Sequence, residues 1–415
     1  MVTFNRFTLD NGLRVLVHED TATPMAVVNL LYDVGARDEH PDQTGFAHLF
    51  EHLMFGGSVN IADYDSPLQM VGGQNNAFTS NDITNYYITL PAVNLETAFW
   101  LESDRMLGLA FNEKSLEVQR NVVCEEFKQR YLNQPYGDAW LRLRPLAYKV
   151  HPYRWATIGK ALAHIEEARM KDVRAFFEAH YTPDNAILVV AGNVETAAVA
   201  QLAEKWFGPI PPARKKQERQ LPQEPEQTEA RREVVHADVP LNSIYMAFHG
   251  PARLDDGYYA MDLISDLLSQ GASSRLYRRL VKEEELFSDI KAYQTGNLDA
   301  NLFVIESKPL PGVPVELAEQ AIWTQLEMLK AEHVEPYELQ KVKNRMESTM
   351  VFAELAILDK AMNLAYFELL GDAETFNHEV DRYLRISASD IQCQAQQLFR
   401  KENSSTLIYL ATPHA

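Results

Sequence analysis

Hydrophobic and polar positions in the first half of the chain form short apolar blocks bounded by polar turn residues. Five blocks have the length and composition of β-strands: residues 14–18, 26–33, 75–79, 85–90 and 186–191. Polar residues at 80–82 separate the third block from the fourth, so these two predict a β-hairpin. Longer stretches between the blocks read as helices, and we place this first domain at residues 1–207.

The second half repeats this kind of pattern after a segment that cannot form a core. Residues 208–232 combine several prolines with Gln, Lys, Arg and Glu, which predicts an interdomain linker. The domain beyond it, residues 233–415, has predicted strands at 243–249, 289–294, 302–307 and 405–411. Its predicted helices are residues 258–268, 273–284, 315–333, 336–370 and 388–399.

The order of these elements indicates the fold class. Strand groups mix with helix groups without regular βαβ alternation, which predicts an α+β fold. The last helix and strand of the second half echo residues 171–177 and 186–191 of the first half, which indicates a duplicated unit. We therefore expect two related halves, each an antiparallel-rich sheet with helices packed on one face.

Residues 45–55 predict a buried helix that carries three polar groups, because apolar side chains surround it almost completely. His48 and His52 are four residues apart and project from one face, and Glu51 lies on the same side. Histidine pairs at this spacing also arise by chance as core or surface residues. Here the buried setting favours Zn²⁺, which takes imidazole and carboxylate ligands and would satisfy all three groups. The order His-x-x-Glu-His is the inverted zinc-peptidase motif, so Glu51 is a candidate general base.

A third ligand is expected on the helix predicted at residues 112–130. The apolar stripe of this helix consists of Leu116, Val122, Val123 and Phe127. Glu126 lies beside the stripe, whereas Glu125 is rotated from it by about 100° and favours solvent. Cys124 offers a soft sulfur ligand, but its helical angle disfavours sharing one ion with Glu126. The residues alone favour Glu126 and leave Glu125 as the alternative.

Four further segments carry a family resemblance. They are Val-Gly-Ala-Arg-Asp-Glu at 34–39, Gly-Gly-Gln-Asn-Asn-Ala-Phe-Thr-Ser at 72–80, Arg-Asn-Val-Val-Cys-Glu-Glu at 120–126 and His-Pro-Tyr at 151–153. With the helix motif, they resemble the pitrilysin-type zinc peptidases, or inverzincins, in their short, processing-peptidase-like branch. The resemblance covers nearly the whole chain.

This resemblance implies a metalloendopeptidase with one Zn²⁺ per chain, bound by His48, His52 and Glu126, and with Glu51 as the base. It selects Glu126 over Glu125, because the family's third ligand lies at the corresponding distance after the second histidine. It also implies two α+β halves of which only the first carries zinc.

The strand predicted around residues 75–79 has a second implied role. In the family, an edge strand beside the zinc accepts the substrate as an added strand, which holds a peptide through its main chain. Asn76 and Ala77 match the family's Asn-Ala, and Phe78 and Thr79 continue the implied substrate-binding strand. The alternative is an ordinary hairpin that covers the core, in which Phe78 is a packing residue.

The second half departs from the family pattern at one place. Many members carry an Arg and a Tyr that bind the substrate carbonyl, and alignment from residues 274–276 puts Val281 and Ser288 there. Neither side chain can do this work. Gln119 likewise stands where many members have a Glu, and the nearby Arg275 fits a surface charge better than a substitute donor.

Two interpretations of this departure remain open. The chain is either the zinc-bearing subunit of a clamshell homo- or heterodimer with a related chain, or a peptidase-like subunit with weak activity alone that serves binding or assembly. We favour the active peptidase, since the zinc motif and its base are intact. A purely structural zinc site is disfavoured, because such sites usually have four protein ligands, often cysteines.

Composition limits the partners and the compartment. The formal net charge of −19 argues against nucleic acid and favours basic or neutral peptides, although it also suits solubility alone. No apolar run has the length of a membrane span, and the start lacks the apolar core of a secretory signal. Cys124 and Cys393 are too few for a disulfide scaffold. We expect a cytoplasmic protein, or a periplasmic one if a signal has been removed.

Overall fold

The computed structural model describes residues 1–213 and 219–412, and its first β-sheet has six strands. In chain order they are β1 Asn5–Thr8, β2 Arg14–Glu19, β3 Met25–Tyr32, β4 Gln74–Thr79, β5 Thr84–Pro91 and β6 Ala186–Gly192. Their spatial order is β1-β2-β6-β3-β5-β4, and only β2 and β6 pair in parallel. β6 is buried along its whole length, which explains its continuous apolar sequence.

The second sheet has five strands. They are β7 Arg231–Ala237, β8 Ser243–Gly250, β9 Phe287–Gln294, β10 Asn301–Pro309 and β11 Ser404–Ala411. Their spatial order is β7-β11-β8-β10-β9, with β7 and β11 parallel and the other pairs antiparallel. Without β1, the first sheet has this same order, and its only parallel pair stands at the same place. The prediction of two related α+β halves is therefore confirmed.

Helices cover both sheets. In the first half of the chain they are α1 Phe46–Leu53, α2 Asp65–Met70, α3 Leu95–Leu107, α4 Glu113–Phe127, α5 Ala139–Ala147, α6 Leu162–Glu166, α7 Met170–His180 and α8 Thr196–Trp206. In the second half they are α9 Gly257–Ser269, α10 Val315–Ala331, α11 Pro336–Ala353, α12 Ile357–Leu369, α13 Glu379–Arg385 and α14 Ala388–Leu398. No helix in the described part of the chain is long and apolar enough to cross a membrane.

Two compact units result, and each takes a helix from the other half of the sequence. The first unit comprises Met1–Lys128, Trp155–Leu221 and Met350–His378, and the second comprises the remaining segments. In the first, α12 packs on β3 and β6, and Leu364 and Ala365 join the core with Leu16 and Val189. In the second, α5 packs on β7, β8 and β11. The domain boundaries expected at 207 and 233 stay a prediction, because packing groups segments that are distant in sequence.

Several predicted elements differ in detail from the observed ones. The helix predicted at 336–370 is interrupted between α11 and α12, which assigns its end to the first unit. The helix predicted at 273–284 is a π-helical segment, Tyr277–Glu283. β7 begins at Arg231, inside the predicted linker, and residues 214–218 of that linker lie outside the described residues.

Candidate active site

α1 begins where the backbone turns sharply at Gly45. This residue has a φ of +88°, and a Cβ there would lie 2.6 Å from the carbonyl oxygen of Ile158. Glycine is therefore the residue that this close approach allows. The helix packs against α4, α7 and β4, with Leu49 and Phe50 fully buried. Its position is set by these contacts, since an eight-residue helix is too short to be stable alone.

Two imidazoles and a carboxylate converge beside α1. Nε2 of His48 and Nε2 of His52 lie 3.6 and 3.5 Å from the same oxygen, Oε2 of Glu126. The possible ligand atoms of all three residues lie within 4.8 Å of one another. Two ligands on one tetrahedral zinc, each about 2.1 Å from the ion, are about 3.4 Å apart. The donor set and its spacing therefore fit Zn²⁺.

The neighbours of Glu126 on α4 separate the ligand candidates. Glu125 has a side chain that is 63% exposed and forms an ion pair of 2.9 Å with Lys128. Cys124 is buried, and burial raises the pKa of its thiol, which disfavours the thiolate that metals bind. The expectation that Val122 belongs to the buried stripe was wrong, because it is 45% exposed.

Glu51 lies between the histidine pair and the edge strand β4. Burial raises the pKa of its carboxyl, while the side chain and backbone amide of Thr79 and the nearby His52 oppose this shift. A half-buried carboxyl with a raised pKa suits a group that accepts and returns a proton. Thr79 is the last residue of β4, so the base is in contact with the end of this strand.

β4 is an edge strand whose outward side has no strand neighbour among the described residues. Its backbone pairs with β5, with Asn76 opposite Tyr87 and Ala77 opposite Tyr86. The amide of Ala77 donates to the Asn76 side-chain oxygen at 2.8 Å, so it is not used by the sheet. Phe78 is 41% exposed and therefore does not belong to the packed core.

The second unit contains the residues at the departure from the family pattern. Val281 lies in the π-helical segment, and the hydroxyl of Ser288 donates to the carbonyl of Lys308. Arg275 donates to both oxygens of Glu338, at 2.9 and 2.7 Å. This guanidinium is already engaged, so it is a poor substitute for the missing donors.

No sequence pattern assigned a role to Glu39, although it belongs to the quoted segment 34–39. Its carboxyl group is buried, and its two oxygens accept the backbone amides of Gly45 and Ala47 at 2.9 and 2.8 Å. An acidic residue shortly before a helix whose N-cap is glycine is the signal in the sequence that could have indicated this role of Glu39.

Comparisons with known proteins show which families and solved structures this chain resembles. Residues 14–139 match the family described as insulinase (peptidase family M16), and residues 168–346 match the peptidase M16 inactive domain. The chain is similar to the zinc protease PqqE of Helicobacter pylori, at 32% identity over 97% of this chain and 91% of that protein. It is also similar to the crystal structure of a Helicobacter pylori protease, with a TM-score of 0.92, 30% identity, and coverage of 99% of this chain and 100% of the other.

A longer structure shares the fold. The periplasmic protease PqqL of Escherichia coli superposes with a TM-score of 0.79 at 19% identity. The match covers 99% of this chain but 48% of PqqL. The present chain is thus about half as long as this neighbour.

Proposed function

This chain belongs to the pitrilysin-type peptidase M16 family, and from that premise we propose that it is a zinc-dependent endopeptidase acting on peptides or unfolded segments. The observation that carries the proposal is the convergence of His48, His52 and Glu126, with Glu51 next to them and in contact with an edge strand. Three protein ligands leave one position of the zinc open, as in catalytic sites. A half-buried base between the triad and a strand open to peptides favours catalysis.

The edge strand provides a binding mode that does not depend on peptide sequence. An extended peptide added to β4 would hydrogen-bond to outward backbone groups such as the amide of Ala77. The Asn76 side chain now accepts from that amide and would have to release it. Because β4 ends at Thr79, beside Glu51, a peptide on this strand passes the base.

The chain's own residues supply the proton transfers. When bound to His48, His52 and Glu126, Zn²⁺ supplies Lewis acidity that activates water and polarises the scissile carbonyl. Glu51 accepts a proton from the attacking water and delivers it to the leaving amine. Thr79, at the end of β4, lies next to the Glu51 carboxyl and opposes the rise of its pKa.

We further propose that the working enzyme is a clamshell dimer. The chain covers 48% of PqqL, which agrees with two chains of this length replacing one long chain. Val281 and Ser288 cannot bind the oxyanion, so a related partner carrying an Arg and a Tyr would supply the donors. The cytoplasmic location expected from the sequence also stays a prediction.

A second candidate function follows from the same absence of donors at Val281 and Ser288. If no partner restores the missing donors, the chain is a peptidase-like subunit with weak or no activity alone, which serves binding or assembly. The active enzyme remains our proposal, because the base Glu51 has no use in a binding subunit.

Cleavage of an unfolded peptide by the wild type and by Glu51→Gln, with and without a related chain that carries the Arg and the Tyr, tests the proposal. We expect Glu51→Gln to retain zinc and to lose a factor of about 10²–10⁴ in turnover. Addition of the partner should raise wild-type turnover by about 10²–10³. Unchanged turnover in zinc-loaded Glu51→Gln would refute the peptidase mechanism. Full activity of the wild type alone would refute the need for a heterologous partner.

A further inference from the structure

The loop at residues 35–39, between β3 and α1, contacts both parts of the proposed active site. On one side, Glu39 accepts the backbone amides of Gly45 and Ala47, which lie at the start of α1. The next residue along the helix is the ligand His48. Glu39 is 6% exposed, so water does not replace these hydrogen bonds.

This contact substitutes for a missing helix cap. The first amides of a helix have no partners within the helix and are usually satisfied by a polar side chain at the N-cap. The N-cap of α1 is Gly45, which has no side chain to offer. Glu39 supplies the acceptors from outside the helix, through the two oxygens of its buried carboxyl group.

On its other side, the loop contacts the turn between β4 and β5. The amides of Ala36 and Arg37 donate to the carbonyls of Ser80 and Asn81 at 3.2 and 2.8 Å. The Arg37 guanidinium pairs with Asp82 at 3.0 Å, and both side chains are buried. The loop is therefore held to the turn by backbone and side-chain bonds.

A close backbone approach makes this contact rigid. A Cβ at position 35 would lie 2.5 Å from the carbonyl oxygen of Asn81, so only glycine fits there. The amide of Gly35 donates to Asp38 at 3.0 Å, which closes the loop on itself. The indole of Trp155 donates to the carbonyl of Ala36 at 2.9 Å and fixes the loop from a distant segment.

We propose that Glu39 is a positioning residue that fixes α1 relative to the β4–β5 hairpin, and so holds His48, Glu51 and His52 in register with the peptide-binding strand. The proposal rests on the proposed function, because it gives the loop a purpose at that site. Glu39 touches neither substrate nor metal and acts only through the backbone of α1. Its effect should therefore appear in zinc affinity and in kcat, and not in KM.

Glu39→Gln tests this role with almost no change in shape. Both oxygens of the Glu39 carboxyl group accept an amide, whereas a glutamine offers one oxygen and one NH₂ group. One of the two backbone amides then faces a donor, whichever way the side chain is turned. We expect zinc affinity to fall by about 10–100-fold, the range found when groups that orient metal ligands are removed. Hydrogen exchange at residues 45–48 should accelerate, and kcat at saturating zinc should fall while KM stays unchanged.

Glu379→Gln is the matched control in the second unit. Glu379 is also a buried glutamate, and it pairs with Arg253 and accepts from Tyr259 at 3.0 Å. Its loss should lower stability and leave zinc affinity unchanged. A loss of zinc affinity in Glu379→Gln as large as in Glu39→Gln would show general destabilisation and overturn the proposal.

Trp155→Phe is a milder second variant in case Glu39→Gln does not fold. It removes the hydrogen bond to Ala36, and we expect the same changes to be smaller in size. Wild-type zinc affinity and exchange rates in Glu39→Gln and Trp155→Phe would overturn the positioning role. If the wild type binds zinc but cleaves no peptide, the proposed function fails, while the zinc-affinity and exchange measurements still decide the role of Glu39.

Discussion

Replacement of Glu126 by Gln tests the metal site most directly, because α4 places an identical residue next to it. Glu126 and Glu125 have the same chemistry and adjacent positions on one helix. Oε2 of Glu126 lies within 3.6 Å of both histidine nitrogens, whereas Glu125 faces solvent and pairs with Lys128. The Glu125→Gln variant therefore controls for charge, for helix propensity and for stability.

The expected size of the effect follows from these surroundings. Glu126→Gln replaces the only anionic ligand by a neutral amide oxygen. Loss of a group that merely supports a metal ligand weakens binding by about 10–100-fold. Loss of the ligand itself should lower zinc affinity by at least about 100-fold, which corresponds to about 2.7 kcal/mol of binding free energy. Glu125→Gln removes one exposed ion pair, which contributes little to stability, and should not change zinc affinity.

Competition between the protein and a chelator of known affinity measures both variants under the same conditions. Circular dichroism establishes that each variant is folded before zinc is added. Full zinc affinity in Glu126→Gln together with its loss in Glu125→Gln would refute the assignment of the third ligand. Equal losses in both variants would show that charge on α4, and not coordination, controls the site.

Three further predictions concern other parts of the chain. Leu364→Ala should lower the free energy of unfolding of the first unit by about 2–5 kcal/mol, because the side chain is fully buried against the first sheet, and urea unfolding checks it. Burial raises the pKa of Asp266 to about 6, against the opposing effect of Arg345. The favourable contribution of this carboxyl to the free energy of unfolding is therefore complete below about pH 4 and is lost as the pH rises through about 6. Between about pH 4 and 7, the free energy of unfolding of Asp266→Asn should rise by about 1–3 kcal/mol relative to that of the wild type, measured by urea midpoints. Arg275→Ala should leave cleavage by the dimer unchanged, since Glu338 holds this guanidinium, and a large loss of kcat would show that it replaces the missing donor.

Local periodicity determined much of the site in advance. The spacing of His48, Glu51 and His52 is a property of any α-helix, so the sequence placed all three on one side before any packing was known. Strand positions were equally accessible, because apolar blocks of strand length bounded by turn residues recur in both halves. The strands predicted at 186–191 and 243–249 match β6 and β8 closely.

Packing decided which residues of α4 are buried. Its sequence contains valine at 118, 122 and 123, and composition does not distinguish them. The structure buries Val123 completely and leaves Val118 and Val122 nearly half exposed, although α1 and α6 both pack on α4. Helical period gives the relative direction of side chains, but the neighbours of a helix determine which direction is the interior.

The sequence by itself determined which groups could bind zinc, the α+β class and the duplication, since each depends on local spacing or repeated pattern. Only the tertiary structure showed that Glu39 caps α1 and that α12 packs on the first sheet, and it brought Glu126, which the sequence already favoured, to His48 and His52. These contacts join segments separated by a few residues to more than three hundred. They depend on the surfaces that remain to be buried once the sheets have formed, and no local pattern encodes that choice.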